Sequence, residues 1–290
     1  VLNLPKGSVK SIIANLDKQK FNVASFDHFI VRFVGRPQSG WVNLGATNMT
    51  RLDFYKKLTT AKAALTTVTL VPGETTEYFF KQVSAQLELD YDKLLKAFRD
   101  KSPFFEGYLT PESYLVPLGI DEVELVSYLL KKAEATHKEI AFKLFGEFNT
   151  ARWKKILVIA SVIQKESAGK SEHATVASVI FNRLRIGMPL QMDGTLNYGL
   201  HSHEKITAER IKTDTSSYNT YKNAGLPKEP VCNPSVEAIL AAINPAKTDY
   251  LYFVRDLRTG MHTFSATYGS HKSAVDVNKN IIRKERDVKR

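Results

Sequence analysis

A long apolar run that ends on a carboxylate, Ile156 to Gly169 with the sequence ILVIASVIQKESAG, constrains this chain more than any other stretch. At 100° per residue Ile159, Val162, Ile163 and Glu166 share one helical stripe, because 159 and 166 are seven apart and nearly superpose. An acid therefore stands where a core residue belongs. Burial disfavours its ionised form, and so do the unpaired carbonyls of a last helical turn, so both push the pKa of Glu166 upward. A general acid needs that state. Lys165 and Lys170 oppose the shift if they lie close, and a capping role at an exposed helix end is the competing reading.

With 290 residues, 43% of them hydrophobic, the chain is long enough for one large domain or two with a sizeable core. Its 41 basic and 30 acidic residues give a net charge of +11, which favours an anionic partner such as nucleic acid, a lipid surface or an acidic polymer. Charge is the sole support for nucleic acid, so none is expected. Part of the excess lies in NKNIIRKERDVKR at 278–290, read as the solvated end of a helix. The single cysteine, Cys232, excludes an internal disulfide framework and any multi-cysteine metal site. No window reaches the roughly 18 to 20 apolar residues of a membrane span. The chain starts at Val1 rather than methionine, so a preceding signal or anchor is expected.

The opening LNLPKGSVKSIIANL reads as strand, Pro-Gly turn and helix, with Val9, Ile12, Ile13 and Leu16 on one face. TVTLVPGETTEYFFKQVSAQL, from Thr67, repeats that order with Phe79, Phe80, Val83 and Leu87 as its stripe. Between them PQSGWVNLGATN is turn-rich and LDFYKKLTTAKAAL helical, so residues 1–66 can form a small α/β module with a soft boundary after it. Residues 88–103 are expected to be helical up to Ser102-Pro103, followed by an extended segment and another amphipathic helix. Tyr108 and Tyr114 in that segment are read as structural. HATVASVIFNRLRIG is a helix closed by Gly187. The stretches 188–207 and 213–234 are long loops, and the aromatic content of the second argues against disorder. A helix from Ser235 to Ile243, a hairpin around Arg258-Thr259-Gly260 and a terminal helix from Ser270 complete an α+β chain.

No G-x-S-x-G, P-loop or G-x-G-x-x-G sequence is present, which leaves hydrolase-elbow and nucleotide readings without an anchor. His201-x-His203 lacks a flanking ligand at a recognised spacing and reads as a polar loop, so no metal and no cofactor is expected. His262, alternating with Thr263 and Phe264 on a strand, could face either side and reads as a core or surface histidine. An acid at the end of a buried helix, followed by loops rich in Asn, Gln, Asp, Thr and Tyr, suits a carbohydrate cleft. Glycoside chemistry usually asks for two carboxylates. Glu166 is the strong candidate and Asp193, in QMDGT, the weaker one, equally suited to organising its own turn.

At these residues the chain resembles the YceG-like endolytic murein transglycosylases, a family of lytic transglycosylases. The runs that carry the likeness are EGYLTPESY, VIQKESA, VASVIFNRLRIGMPLQMDGTLNYG, SYNTYKNAGLPKEPVCNPS and AAINPAKTDYLYFVRD with MHTF, spread over about 104–275. Residues 1–66 resemble the LysM-like module of these proteins more weakly, and 67–290 their catalytic domain. The implied fold is α+β: a small LysM-like α/β N-terminal module, then a larger mixed domain with a helical core, long loops and a C-terminal β-hairpin. The family's E-K-E-T stands here as Gln164-Lys165-Glu166-Ser167, leaving Glu166 alone to carry the catalytic role. Tyr218-Asn219 resembles the Y-N element across the cleft of lysozyme-like transglycosylases, and Gly194 stands where the family has Pro in Q-T-D-P-T.

The resemblance implies non-hydrolytic cleavage between N-acetylmuramic acid and N-acetylglucosamine to leave 1,6-anhydro ends, with Glu166 as single acid and base. Gln191, Asp193, Tyr218 and Asn219 become the substrate-contact candidates. It implies peptidoglycan glycan strands and peptidoglycan synthases as partners. It also implies a place at the outer, periplasmic face of the cytoplasmic membrane, held by an N-terminal helix absent from this sequence. The alternative is a non-catalytic, wall-binding scaffold of the cell envelope.

Overall fold

The computed structural model describes residues 1–45 and 48–288. Its N-terminal part runs β1 (Leu2–Leu4), α1 (Val9–Lys18), α2 (Asp27–Val34), β2 (Gly40–Asn43), α3 (Arg51–Thr60) and β3 (Lys62–Ala63). The three strands form one antiparallel sheet in the order β1-β2-β3. Ser8 caps α1 by accepting the Ser11 N–H at 3.2 Å, and Ile12 and Leu16 turn inward. Two expectations change here. The turn-rich stretch from Pro37 contains β2, its residues 46 and 47 lying outside those described, and the helix over 52–65 stops at Thr60 because Lys62 and Ala63 pair with β2.

The remainder is mostly helical. β4 (Leu65–Thr69) pairs antiparallel with β5 (Ser113–Pro117), with α4 (Thr76–Leu87) and α5 (Tyr91–Lys101) between them. The long α6 (Glu122–Phe145) starts on an Asp121 cap and stops at Gly146 in the left-handed region. Then come α7 (Thr150–Glu166), α8 (His173–Arg185), α9 (Ala208–Thr213) and α10 (Val236–Ile243). The chain finishes with the hairpin β6 (Tyr252–Arg255) and β7 (His262–Ser265) and with α11 (Tyr268–Val288), which carries the basic tail up to its last two residues, outside those described. An α+β fold with small separate sheets is thus what the chain forms.

The described residues form two cores, one drawn from Leu2 to Leu58 and one from Val68 to Ala242. The soft boundary expected at residue 66 falls inside β4. α7 is the spine of the larger core. Leu157 through Ile163 are all buried, so the helix is enclosed on every side there, where the sequence suggested one stripe. Each such apolar side chain removed from water is worth about 1.5–3 kcal/mol. α8 and α10 pack against α7, and polar ties fix the following loop to it: Ser161 Oγ accepts the Val231 N–H at 2.9 Å. Gln164 Oε1 accepts the Ser235 N–H, at the start of α10, at 3.1 Å.

A second polar centre joins three distant segments. Asn233 Oδ1 accepts the Leu109 N–H at 3.0 Å, and its Nδ2 donates to the Glu74 carbonyl, Thr76 Oγ1 and Glu106 Oε1. Glu106 is buried at the N-terminus of α4, where it also accepts from the Thr76 and Gly107 backbone N–H groups. Burial pushes its pKa up to about 7 against those hydrogen bonds. All its bonds are to structural partners, so it holds α4, the 106–110 segment and the 230–235 loop together.

Candidate active site

Glu166 is the last residue of α7, half-buried where the helix leaves the core. Its Oε1 accepts the Gly194 N–H at 2.7 Å. Burial raises its pKa to about 7; the Gly194 hydrogen bond opposes that, the Asp193 charge adds to it, and the Arg183 charge opposes it. The two lysines that could have offset the shift are engaged elsewhere: Lys165 Nζ donates to Ser202 Oγ at 3.1 Å, and Lys170 pairs with Glu237. The cation that does act is Arg183, on α8.

Glu166 opens into a hollow of about 240 Å³ lined also by Arg183, Gln191, Asp193, Tyr221, Phe253, Val254, Arg255 and His262. Five parts of the chain meet there. α7 supplies the acid, and α8 supplies Arg183, which donates from Nε to the Leu251 carbonyl at 2.6 Å and from Nη1 to the Leu190 carbonyl. It thereby ties the loop at 190 to the entry of the hairpin. The 190–196 loop rests on the 219–221 segment, since Gln191 N–H donates to the Thr220 carbonyl at 3.2 Å and Met192 N–H to Thr220 Oγ1 at 3.0 Å. Gln191 has φ +49, a left-handed backbone that a non-glycine residue adopts at a cost of about 1–3 kcal/mol. Gly194 is needed for space: a Cβ there would lie 2.7 Å from Glu166 Oε1 and 2.8 Å from Lys165 Cβ.

Of the residues expected in the site, Glu166, Gln191 and Asp193 meet in the hollow. Tyr218 and Asn219 do not line it. Tyr218 stacks on Tyr198, ring centroids 4.4 Å apart. Asn219 is fully buried, donating to the Ile211 and Asp214 carbonyls at 2.8 and 2.9 Å, so its amide cannot reach a substrate. Its Oδ1 accepts the Tyr221 N–H at 3.1 Å, and Tyr221 reaches the hollow, its hydroxyl 2.6 Å from Asp193 Oδ1. Burial, then that hydrogen bond, raises the Tyr221 pKa and keeps the phenol protonated.

His262 faces the hollow from β7, opposite Arg255 across the hairpin. Its Nδ1 lies 2.7 Å from Glu172 Oε2, and its backbone N–H donates to Glu172 Oε1 at 2.5 Å. Sequence reading missed Arg183, Tyr221, Arg255 and His262 as cleft residues, and the alternation around His262 was the one available signal. His201 and His203 bind different carboxylates, Glu204 and Glu74, and no cluster of three or more His, Cys, Asp or Glu placed to hold a metal occurs among the described residues. A larger hollow of about 890 Å³ in the N-terminal part, bounded by Phe21, Met49, Arg51, Phe54 and Tyr55 among others, has no carboxylate in its lining.

Fold and site define a protein of acid/base type: one carboxyl group with a raised pKa, fixed at the end of a core helix and facing a polar cleft walled by loops. The chain belongs to the YceG-like family, which it matches over residues 2–277. It is 32% identical to the endolytic murein transglycosylase of Bacillus subtilis over 94% of this chain and 83% of that protein. It is 33% identical to the endolytic murein transglycosylase of Streptococcus pneumoniae over 57% of its own length, spanning only 31% of that longer protein. In three dimensions it resembles the crystal structure of a yceG-like protein from Listeria monocytogenes, with a TM-score of 0.62 and 27% identity over 94% of this chain and 97% of that one.

Proposed function

We propose that the chain is an endolytic lytic transglycosylase of peptidoglycan with Glu166 as its single general acid and base. The observation that carries this reading is the placement of Glu166 at the end of the core helix α7, its carboxyl group facing the polar cleft, where burial raises its pKa to about 7. Protonated Glu166 gives its proton to the glycosidic oxygen that leaves C1 of N-acetylmuramic acid. The substrate's own acetamido oxygen supports the cation, as in substrate-assisted exceptions to the two-carboxylate rule. The Glu166 carboxylate then takes the proton of the C6 hydroxyl, whose oxygen bonds to C1 and displaces the acetamido oxygen. The product is a 1,6-anhydro end, and the carboxyl group is protonated again. This sequence draws on no metal or organic cofactor.

Incubation with sacculi, followed by mass spectrometry, tests the proposal directly. Anhydromuropeptides are expected; a wall-binding scaffold would generate none. The β-α-α-β order at the N-terminus supports a LysM-like reading of that module. Attachment at the outer face of the cytoplasmic membrane beside peptidoglycan synthases belongs to the same proposal and rests on the family resemblance. No helix among the described residues is long and apolar enough to cross a membrane.

The cleft predicts its own pH response. Because the acid form of Glu166 starts the reaction, kcat/KM is expected to fall as pH rises through about 7. Asp193→Asn removes the neighbouring charge that raises this pKa, so the falling limb moves to lower pH. A limb that stays fixed in that variant would assign the titration to another group. For Gly194→Ala, the added Cβ displaces either the loop or the carboxylate, and turnover is expected to fall about 10- to 100-fold with the melting temperature little changed. Activity assays and thermal melts on one preparation check both halves.

A further inference from the structure

The mechanism above leaves one pair of cleft residues unused. Glu172 is buried and accepts three hydrogen bonds, from the Ala168 N–H at 2.9 Å and from the His262 backbone and Nδ1 at 2.5 and 2.7 Å. A carboxylate in that position only accepts, so in the neutral ring Nδ1 carries the proton and Nε2 is left with its lone pair. Nε2 has no hydrogen-bond partner among the described residues and is not among the buried unpartnered atoms, so it keeps solvent contact on a residue that lines the hollow. The ring is braced edge-on against Phe253, centroids 5.2 Å apart. A buried acid is thus spent on fixing one imidazole so that it presents an acceptor to the cleft.

The charged groups that share the hollow with it narrow what it binds. Arg183 and Arg255 are pure donors, Glu166 is reserved for proton transfer, and one oxygen of Asp193 is taken by Tyr221. Sugar hydroxyls can both donate and accept and are satisfied by many partners. The N–H of an acetamido group only donates. It gains positive character when its carbonyl oxygen bonds to C1, so an acceptor held against it is worth more in the transition state than in the ground state. We propose that the Glu172–His262 pair is a second working element of the cleft, with His262 Nε2 accepting the acetamido N–H of the sugar whose bond is broken.

This inference rests on the transglycosylase reading, and its test separates the two. In purified glycan strands, His262→Phe keeps a ring against Phe253 but removes the acceptor; kcat is expected to fall about 100-fold with KM within about twofold. His262→Gln, whose side-chain oxygen can reach a similar point, recovers at least about tenfold of that loss. Glu172→Gln leaves one oxygen for three N–H donors, so the ring loses part of its anchoring and kcat falls about tenfold or more. Nitrogen-15 NMR of the neutral imidazole reads the proton's place directly, on Nδ1 in the parent. A His262→Phe protein with parental kcat, or a parent carrying its proton on Nε2, overturns the pairing. Should His262→Phe fail to fold, the NMR measurement and Glu172→Gln decide it. If Glu166→Gln is inactive while His262→Phe is unimpaired, the pairing alone falls; if both remain active, the pairing falls and Glu166 leaves the mechanism too; only a parent that releases no anhydro-ended product overturns the transglycosylase reading.

Discussion

Glu166→Gln protein is expected to fold like its parent, to be the more stable of the two near neutral pH, and to release no anhydro-ended product from purified glycan strands, a loss of at least about 1,000-fold. The amide oxygen of glutamine can still accept the Gly194 N–H, so the loop over the helix end keeps its anchor. What disappears is the proton, both as gift to the leaving oxygen and as the charge that takes it back. Parental turnover in this variant would remove Glu166 from the mechanism. The same substitution has a thermodynamic signature. Folding raises the Glu166 pKa to about 7, so the folded chain keeps a proton that the unfolded one gives up near pH 4.3. The stability linked to this group is fully present below the unfolded pKa and is lost as pH rises through the folded one. Glutamine does not titrate, so the variant's stability falls less between pH 5 and 8. Glu106, also raised to about 7, keeps its own slope in both proteins.

Gly107→Ala is the second large effect, on stability. The backbone there has φ +75, where an L side chain is strained, and a Cβ would enter the van der Waals shell of Pro230 and approach the Cys232 carbonyl oxygen to 2.9 Å. Proline and backbone cannot swing aside as a flexible side chain can. Gly107 also donates its N–H to Glu106 Oε1 at 2.7 Å, so displacing it disturbs the centre that joins α4 to the 230–235 loop. Strain and overpacking together are expected to cost about 3 kcal/mol or more, a fall of about 10 °C in Tm. Chemical denaturation measures it, and a loss below about 1 kcal/mol would show that the Pro230 segment yields freely.

What the sequence disclosed follows from how far each signal reaches along the chain. Glu166 was legible because one helix carries both the apolar context and the acid, and Asp193 and Gln191 because they sit in one short polar loop. Arg183, Tyr221 and His262 were not, since nothing local brings residues from α8, the 213–234 loop and β7 to one point. Tyr218-Asn219 shows the opposite failure. The dipeptide has the right chemistry, yet the fold spends the Asn219 amide on carbonyls and turns Tyr221, two residues on, to the cleft. The helix α2 escaped notice for a different reason. It is only eight residues long, and much of its apolar face, Phe29 and Phe33, remains exposed while Val31 points inward.

One hydrogen bond limits how the proposed chemistry can be laid out in space. With Oε1 of Glu166 occupied by the Gly194 amide, a single oxygen is left to meet the glycan. Departure of one alcohol and arrival of the other must then use the same doorway in turn, from the same side of the ring. In the proposed chemistry the sugar has to stay seated in the hollow while its two oxygens trade places there, so its release cannot precede the closing of the new ring.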